Sequence, residues 1–222
     1  MKAPASADGL VGQVIEARYR VLRLLGAGGM GAVFEVEHVL VGRRFALKTL
    51  YGEAARNPNI VARFYREARA AAAIGDSHIV DVSDMGHLPD GAPYIVMELL
   101  EGSDLRAVLA AEGALPIGRA VHIALQCCRA LARAHEKGIV HRDIKPDNIF
   151  LTRRGGDQDF AKLIDFGISK VRQALAGADP AISALTSTGA SIGTPLYMAR
   201  ALTSTDSAHA PVAGLVCRHK LS

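Results

Sequence analysis

The run His141-Arg142-Asp143-Ile144-Lys145-Pro146-Asp147-Asn148 packs carboxylates, cations, an imidazole and an amide into one short stretch. That is too much charge for a core, and Pro146 argues against a helix interior, so the run reads as a loop feeding the apolar Ile149-Phe150-Leu151. Asp143 can accept a proton from an incoming hydroxyl. Lys145 can neutralise a transferring phosphate, and Asn148 can offer an oxygen to a hard cation. Phosphoryl transfer asks a protein for these jobs and for little covalent chemistry. Asp165-Phe166-Gly167 adds a second carboxylate after an apolar strand, where Asp165 could hold Mg²⁺ against phosphates. Surface charge explains either motif alone, but poorly explains both in this order.

Two weaker signals lie upstream. Gly26-Ala27-Gly28-Gly29-Met30-Gly31-Ala32-Val33 fits G-x-G-x-x-G-x-V. A dinucleotide fold needs a helix after such a turn, and here a strand follows. A glycine turn between antiparallel strands can instead bring backbone N–H groups to a phosphate chain. A plain hairpin tip explains the run equally well. Lys48 sits mid-strand in Phe45-Ala46-Leu47-Lys48-Thr49-Leu50, where burial requires a partner, and Glu67 on the following helix is the expected one. Taken alone, Lys48 reads better as a solvent-facing lysine on an alternating strand.

The elements that must position these groups follow from periodicity. Strands are expected at 19–29, 31–40 and 43–50, the last two joined by a turn at 41–43. A helix from Pro58 to Ile74 is opened by Asn57 and closed by Gly75. A hairpin at 79–100 turns at Pro89-Asp90-Gly91. Beyond Gly102 the texture becomes helical, with a short helix at 103–113 and a long amphipathic one at 116–138 capped by Gly138. Val121, Leu125 and Leu131 read as its core positions. Short strands at 149–152 and 161–166 flank a polar turn at 153–159, and 167–193 is loop-like. The domain plan is a flexible leader at 1–17, a β-rich lobe at 18–100, a helix-rich part at 101–199 and a tail at 200–222.

The 222 residues and 50% apolar content allow a substantial core. A net charge of +4 is spread without a basic block, which argues against a nucleic-acid partner. Cys127, Cys128 and Cys217 cannot build a disulfide framework and suit a reducing, cytoplasmic compartment. The sequence shows no signal peptide and no membrane segment in this chain.

In this order the motifs resemble a eukaryotic-like serine/threonine protein kinase domain of the kind bacteria carry, from about Tyr19 to Met198. The Gly-Thr-Pro-Leu-Tyr-Met run at 193–198 belongs to the same pattern. The resemblance implies an α+β bilobal fold: an antiparallel sheet lobe with one main helix, and a mostly helical, incomplete second lobe. It implies ATP and Mg²⁺ (or Mn²⁺) as cofactors and Ser/Thr hydroxyls of a protein as substrate. Gly26 to Gly31, including Ala27, Gly29 and Met30, would cover the ATP phosphates. Val33 and Ala46 would press on adenine from above and Phe150 from below, beside Met97, with Glu98 and Leu100 offering backbone bonds. Lys48, held by Glu67, would touch the α- and β-phosphates. Asp143 would be the catalytic base, Lys145 would sit near the γ-phosphate, and Asn148 and Asp165 would bind the metal. Arg142 would pair with a phosphate on Thr186, Ser187, Thr188 or Ser191, and Thr194 would shape the substrate site.

The pattern breaks after Gly-Thr-Pro-Leu-Tyr-Met-Ala, where the family's Pro-Glu is replaced by Arg200-Ala201. The expectation is a truncated or frame-shifted kinase whose uncovered apolar faces, such as that of 119–134, invite self-association there or through the first lobe. The competing readings are a non-catalytic ATP-binding or interaction module and, less well matched to Lys145, a small-molecule phosphotransferase.

Overall fold

The computed structural model describes residues 8–166. Gly167, the phosphate-acceptor candidates between Thr186 and Thr194, Cys217 and the tail from 200 lie outside them. The larger compact unit takes in Met1–Arg142 and Pro146–Ile168, whereas Asp143–Lys145 belong to a second unit.

Alternating apolar residues build an antiparallel six-stranded sheet from β1 (Val14–Ile15), β2 (Tyr19–Ala27), β3 (Gly31–His38), β4 (Arg44–Leu50), β5 (Val82–His87) and β6 (Pro93–Glu98). The order is β1-β2-β3-β4-β6-β5. Phe34, Val36, Phe45, Leu47, Tyr94 and Val96 are buried on one face, in a core shared with Ile15, Tyr19 and Val21. Residues 8–17, expected to be a flexible leader, therefore carry structure: Ile15 is buried, and Gly12 N–H bonds Val21 O at 2.9 Å. A large apolar residue buried against β2 outweighs the Ala/Ser/Gly composition on which the leader reading rested.

Helix α1 (Gly52–Arg56) precedes the long α2 (Pro58–Ile74). Asn57 caps α2 by accepting from Asn59 N and Ile60 N, Pro58 needs no N–H in the first turn, and Gly75 ends the helix at φ 64°. Ile60, Phe64, Ala68, Ala71 and Ile74 form its buried stripe.

The second part holds β7 (Gly102–Asp104), α3 (Leu105–Glu112), α4 (Ile117–Glu136), β8 (Ile149–Arg154) and β9 (Asp157–Leu163), with sheet order β7-β8-β9. The expected polar turn at 153–159 contracts to Gly155-Gly156, both at positive φ, and the strands extend into the rest. Helix α4 docks on β9 through side chains. Gln126 accepts from Ala161 N and donates to Asp159 O, each at 3.0 Å, and Arg119 grips Asp159 with two bonds. Its buried positions are Ile123, Gln126, Cys127, Ala130 and Ala134. Val121 and Leu125, expected in the core, are each 51% exposed and lie in line with exposed Ile117. Both faces of α4 carry apolar residues, so periodicity alone could not select the buried one.

A parallel stitch joins the two sheets. Val80 N–H bonds Leu163 O, Leu163 N–H bonds His78 O, and His78 Nδ1 donates to Ala161 O at 2.8 Å. The His78 ring stacks on Phe160 at 4.3 Å.

Candidate active site

The strand register brings the upstream candidates together. Val33 pairs with Lys48, Ala46 with Met97, and Gly26 with Val33. Directly opposed residues of antiparallel strands project to the same side, and residues two apart share a face. Gly26, Val33, Ala46, Lys48 and Met97 therefore share the sheet face opposite the Phe34/Leu47/Val96 core. Three apolar side chains, Val33, Ala46 and Met97, beside a lysine form a surface suited to a flat ring with an anionic tail.

The glycine turn closes that face at one end. Gly28 N–H bonds Gly31 O at 2.9 Å, Tyr51 N–H bonds Met30 O at 3.1 Å, and the Tyr51 hydroxyl donates to Gly28 O. The glycines are of two kinds. A Cβ on Gly31 would lie 2.1 Å from Thr49 O, so packing alone requires glycine there. A Cβ on Gly26, Gly28 or Gly29 would meet nothing within 4 Å. Their missing side chains leave open space beside backbone N–H groups, which fits a phosphate cradle.

Lys48 Nζ bonds Asp165 Oδ1 rather than Glu67. The expected Lys48–Glu67 ion pair is absent, and Glu67 Oε2 is buried without a hydrogen-bond partner, as is Arg63 Nη1 one turn earlier on α2. Burial pushes the Glu67 carboxyl up to about 8, against the opposing pull of Arg63 and Lys48. A neutral acid makes no claim on Lys48, while Asp165, partly open to solvent, does.

Asp165 follows β9 with φ 56°, a left-handed backbone that aspartate tolerates better than most residues. The neighbouring residues are fixed: His141, 1% exposed, packs its ring 4.5 Å from that of Phe166 and donates from Nε2 to Ile164 O at 3.2 Å. Ile164 N–H in turn bonds Asn148 O at 3.0 Å. Asn148, buried in the short 3₁₀ turn Pro146–Asn148 before β8, thus lies beside the end of β9 that leads to Asp165. An amide oxygen and a carboxylate are hard donors that fit Mg²⁺, an ion that normally completes its shell with water and phosphate oxygens. Among the described residues no cluster of three or more His, Cys, Asp or Glu makes a metal site by itself.

Described on their own, Asp143 and Lys145 form an ion pair at 3.1 Å, and both side chains are largely shielded from solvent. Arg142 before them is held at φ 65°. Phe150 lies in β8 opposite Lys162 and Asp104, half-buried. Glu98 ends β6 and Leu100 follows it, also half-buried.

Sequence reasoning overlooked three contributors. Tyr51 ties the glycine turn, the His141–Phe166 contact braces Asp165, and Lys162 is buried in β9 and bonded to Glu98. Lys162 sits in an apolar strand as Lys48 does, so its signal was there to read.

The protein kinase domain model matches residues 19–212. Serine/threonine-protein kinase Pkn1 of Myxococcus xanthus is 45% identical over 86% of this chain and 26% of its own length. Probable serine/threonine-protein kinase PknB of Corynebacterium glutamicum is 40% identical over 83% of this chain and 28% of its own. The chain thus spans about a quarter of the length of these relatives. The crystal structure of the Mycobacterium tuberculosis PknI kinase domain matches with a TM-score of 0.62 and 35% identity, over 72% of this chain and 62% of that one. With its glycine turn, Lys48, the 141–148 loop and Asp165 in the family's order on the family's fold, this chain belongs to the protein kinase family.

Proposed function

We propose that the chain transfers the γ-phosphoryl group of ATP to serine or threonine hydroxyls of proteins. The observation that carries this reading is the shared face of Val33, Ala46, Met97 and Lys48, with Lys48 bonded directly to Asp165. A cation and a carboxylate meet at the edge of an apolar shelf, where nucleotide phosphates and their metal ion would divide that pair between them. Val33 and Ala46 hold the adenine face, and Gly26, Gly28 and Gly29 admit the phosphates to backbone N–H groups.

Bound Mg²⁺ supplies charge neutralisation on the phosphates. Asn148 and Asp165 would hold it, and Lys48 would neutralise phosphate oxygens once released from Asp165. Asp143 orients the acceptor hydroxyl and takes its proton as the hydroxyl oxygen bonds to the γ-phosphorus. The bond from that phosphorus to the β,γ-bridging oxygen breaks, and ADP leaves with the electron pair. Lys145, already paired with Asp143, offsets negative charge on the moving group. Mn²⁺ meets the same hard-donor requirement. No helix among the described residues is long and apolar enough to cross a membrane, and we place the activity in the cytoplasm, where ATP is supplied.

Intact-mass measurement after incubation with Mg²⁺ and ATP tests the reading, alongside Asp143→Asn. Mass rising in phosphate steps in the wild type alone supports it. ATP binding without transfer by a folded wild type favours a non-catalytic nucleotide-binding module, and transfer confined to small hydroxylated compounds favours a small-molecule phosphotransferase.

A further inference from the structure

Lys162 is 4% exposed near the end of β9, an unfavourable place for an ammonium group without a partner. Its Nζ bonds Glu98 Oε1, with Ile79 O at 3.4 Å. Glu98 is tied further on the same side: its Oε1 accepts from Asp81 N at 2.8 Å, and its own N–H bonds Asp81 O at 2.9 Å. The register pairs Glu98 with Phe45, on the face opposite Ala46 and Met97. The Glu98 side chain therefore leaves the sheet on the side away from the candidate adenine surface, while its backbone forms the end of that surface. A buried ion pair is at best near neutral for stability against an apolar substitute, so stability alone gives little reason for one here. Position does, because β9 is the strand that delivers Asp165, and the pair fastens it to the end of β6.

We infer that Lys162 is a positioning residue for nucleotide: through Glu98 it sets, from behind, the 98–100 backbone that receives adenine, and locks it in register with the strand that leads to Asp165. This rests on the ATP reading above. Removing the ammonium group frees the Glu98 side chain and leaves its carboxylate half-buried with only the Asp81 N–H. The 98–100 segment then relaxes, and adenine loses its fixed backbone partners. The phosphate cradle, built from the glycine turn and Lys48, keeps its own bonds.

The test is calorimetric binding of Mg·ATP and of Mg·tripolyphosphate, which lacks adenosine, to the full chain. Wild type is compared with Lys162→Met, Lys162→Arg and Glu98→Gln, each first shown by melting to be folded. Lys162→Met should weaken ATP about 10-fold, within the range that ångström-scale misplacement produces, while tripolyphosphate changes less than about 2-fold. Lys162→Arg keeps a cation at Glu98 and should recover most of the ATP affinity. Should Lys162→Met fail to fold, Glu98→Gln carries the test with the same expected bias against ATP. Equal weakening of both ligands, or unchanged ATP affinity, would overturn the proposal for Lys162 and leave the ATP reading standing. A folded wild type that binds neither ligand would overturn both.

Discussion

Lys48 is bonded to Asp165, and Glu67, on the helix that should have supplied its partner, keeps a buried oxygen with no hydrogen bond. The three groups form a charge set with one cation for two acids, and burial decides which acid yields. Asp165, 41% exposed at its side chain, holds the Lys48 ammonium group, and burial favours the protonated form of Glu67.

Stability should carry the mark of that proton. The folded-state value near 8 lies above the ordinary 4.5, so the fold binds a proton that the unfolded chain releases. The stabilising contribution of protonated Glu67 is whole below about 4.5 and drains away as pH rises to about 8. Glu67→Gln cannot ionise, so its melting temperature relative to wild type should climb from pH 5 to pH 8. A constant offset across that range would show that Glu67 is ionised in the fold.

Metal dependence should run through Asp165. In Asp165→Asn the loss of the carboxylate removes both the Lys48 partner and a hard anionic donor, so Mg²⁺ should no longer improve ATP affinity. Titrating ATP with Mg²⁺ and with EDTA should separate the two conditions in the wild type and superimpose them in the variant. Phosphoryl transfer by Asp165→Asn should fall by at least about 100-fold, the scale of losing a preorganised charge at the reacting phosphates.

The two classes of glycine predict opposite phenotypes. Gly31→Ala drives a methyl group into the Thr49 carbonyl and should cost about 1–3 kcal/mol of stability, the usual range for overpacking. Gly28→Ala meets open space and should leave the melting temperature nearly unchanged while weakening ATP binding. Denaturant unfolding of both variants, paired with nucleotide titration, checks the contrast.

Gln126 acts as a strand mate for β9, satisfying one N–H and one carbonyl of a buried segment. Gln126→Leu keeps the bulk but strands both groups, and should cost about 1–3 kcal/mol. Gln126→Glu, which retains an acceptor for Ala161 N–H but loses the donor to Asp159 O, should be destabilised as its carboxylate ionises. Unfolding curves at pH 5 and pH 8 would resolve the two losses.

The strands of the sheet and the long helices were legible because their signals are local: alternation in β3 and β4, the Asn57-Pro58 start and Gly75 stop of α2, the polar turn around Gly155-Gly156. The 141–148 run was legible because so dense a mix of charge has few structural explanations. Partner choice was not. Glu67 and Asp165 stand at very different distances from Lys48 in the sequence, and the burial that raises the Glu67 pKa is a property of the folded chain. The buried face of α4 was misread for a related reason: with apolar residues at 117, 121, 123, 125 and 127, helical period alone does not say which stripe meets β9.

The stitch between His78–Val80 and Ala161–Leu163 has a consequence for how the protein opens. The amides of Val80, Leu163 and Ile164 are bonded in sequence across it, to Leu163 O, His78 O and Asn148 O. Breaking one loosens the anchor of the next, so they should exchange with solvent deuterium as a single cooperative unit rather than as separate sites. The segment 78–80 that follows α2 and the strand before Asp165 would then share one opening free energy, and a perturbation at either would be registered by the protection of the other.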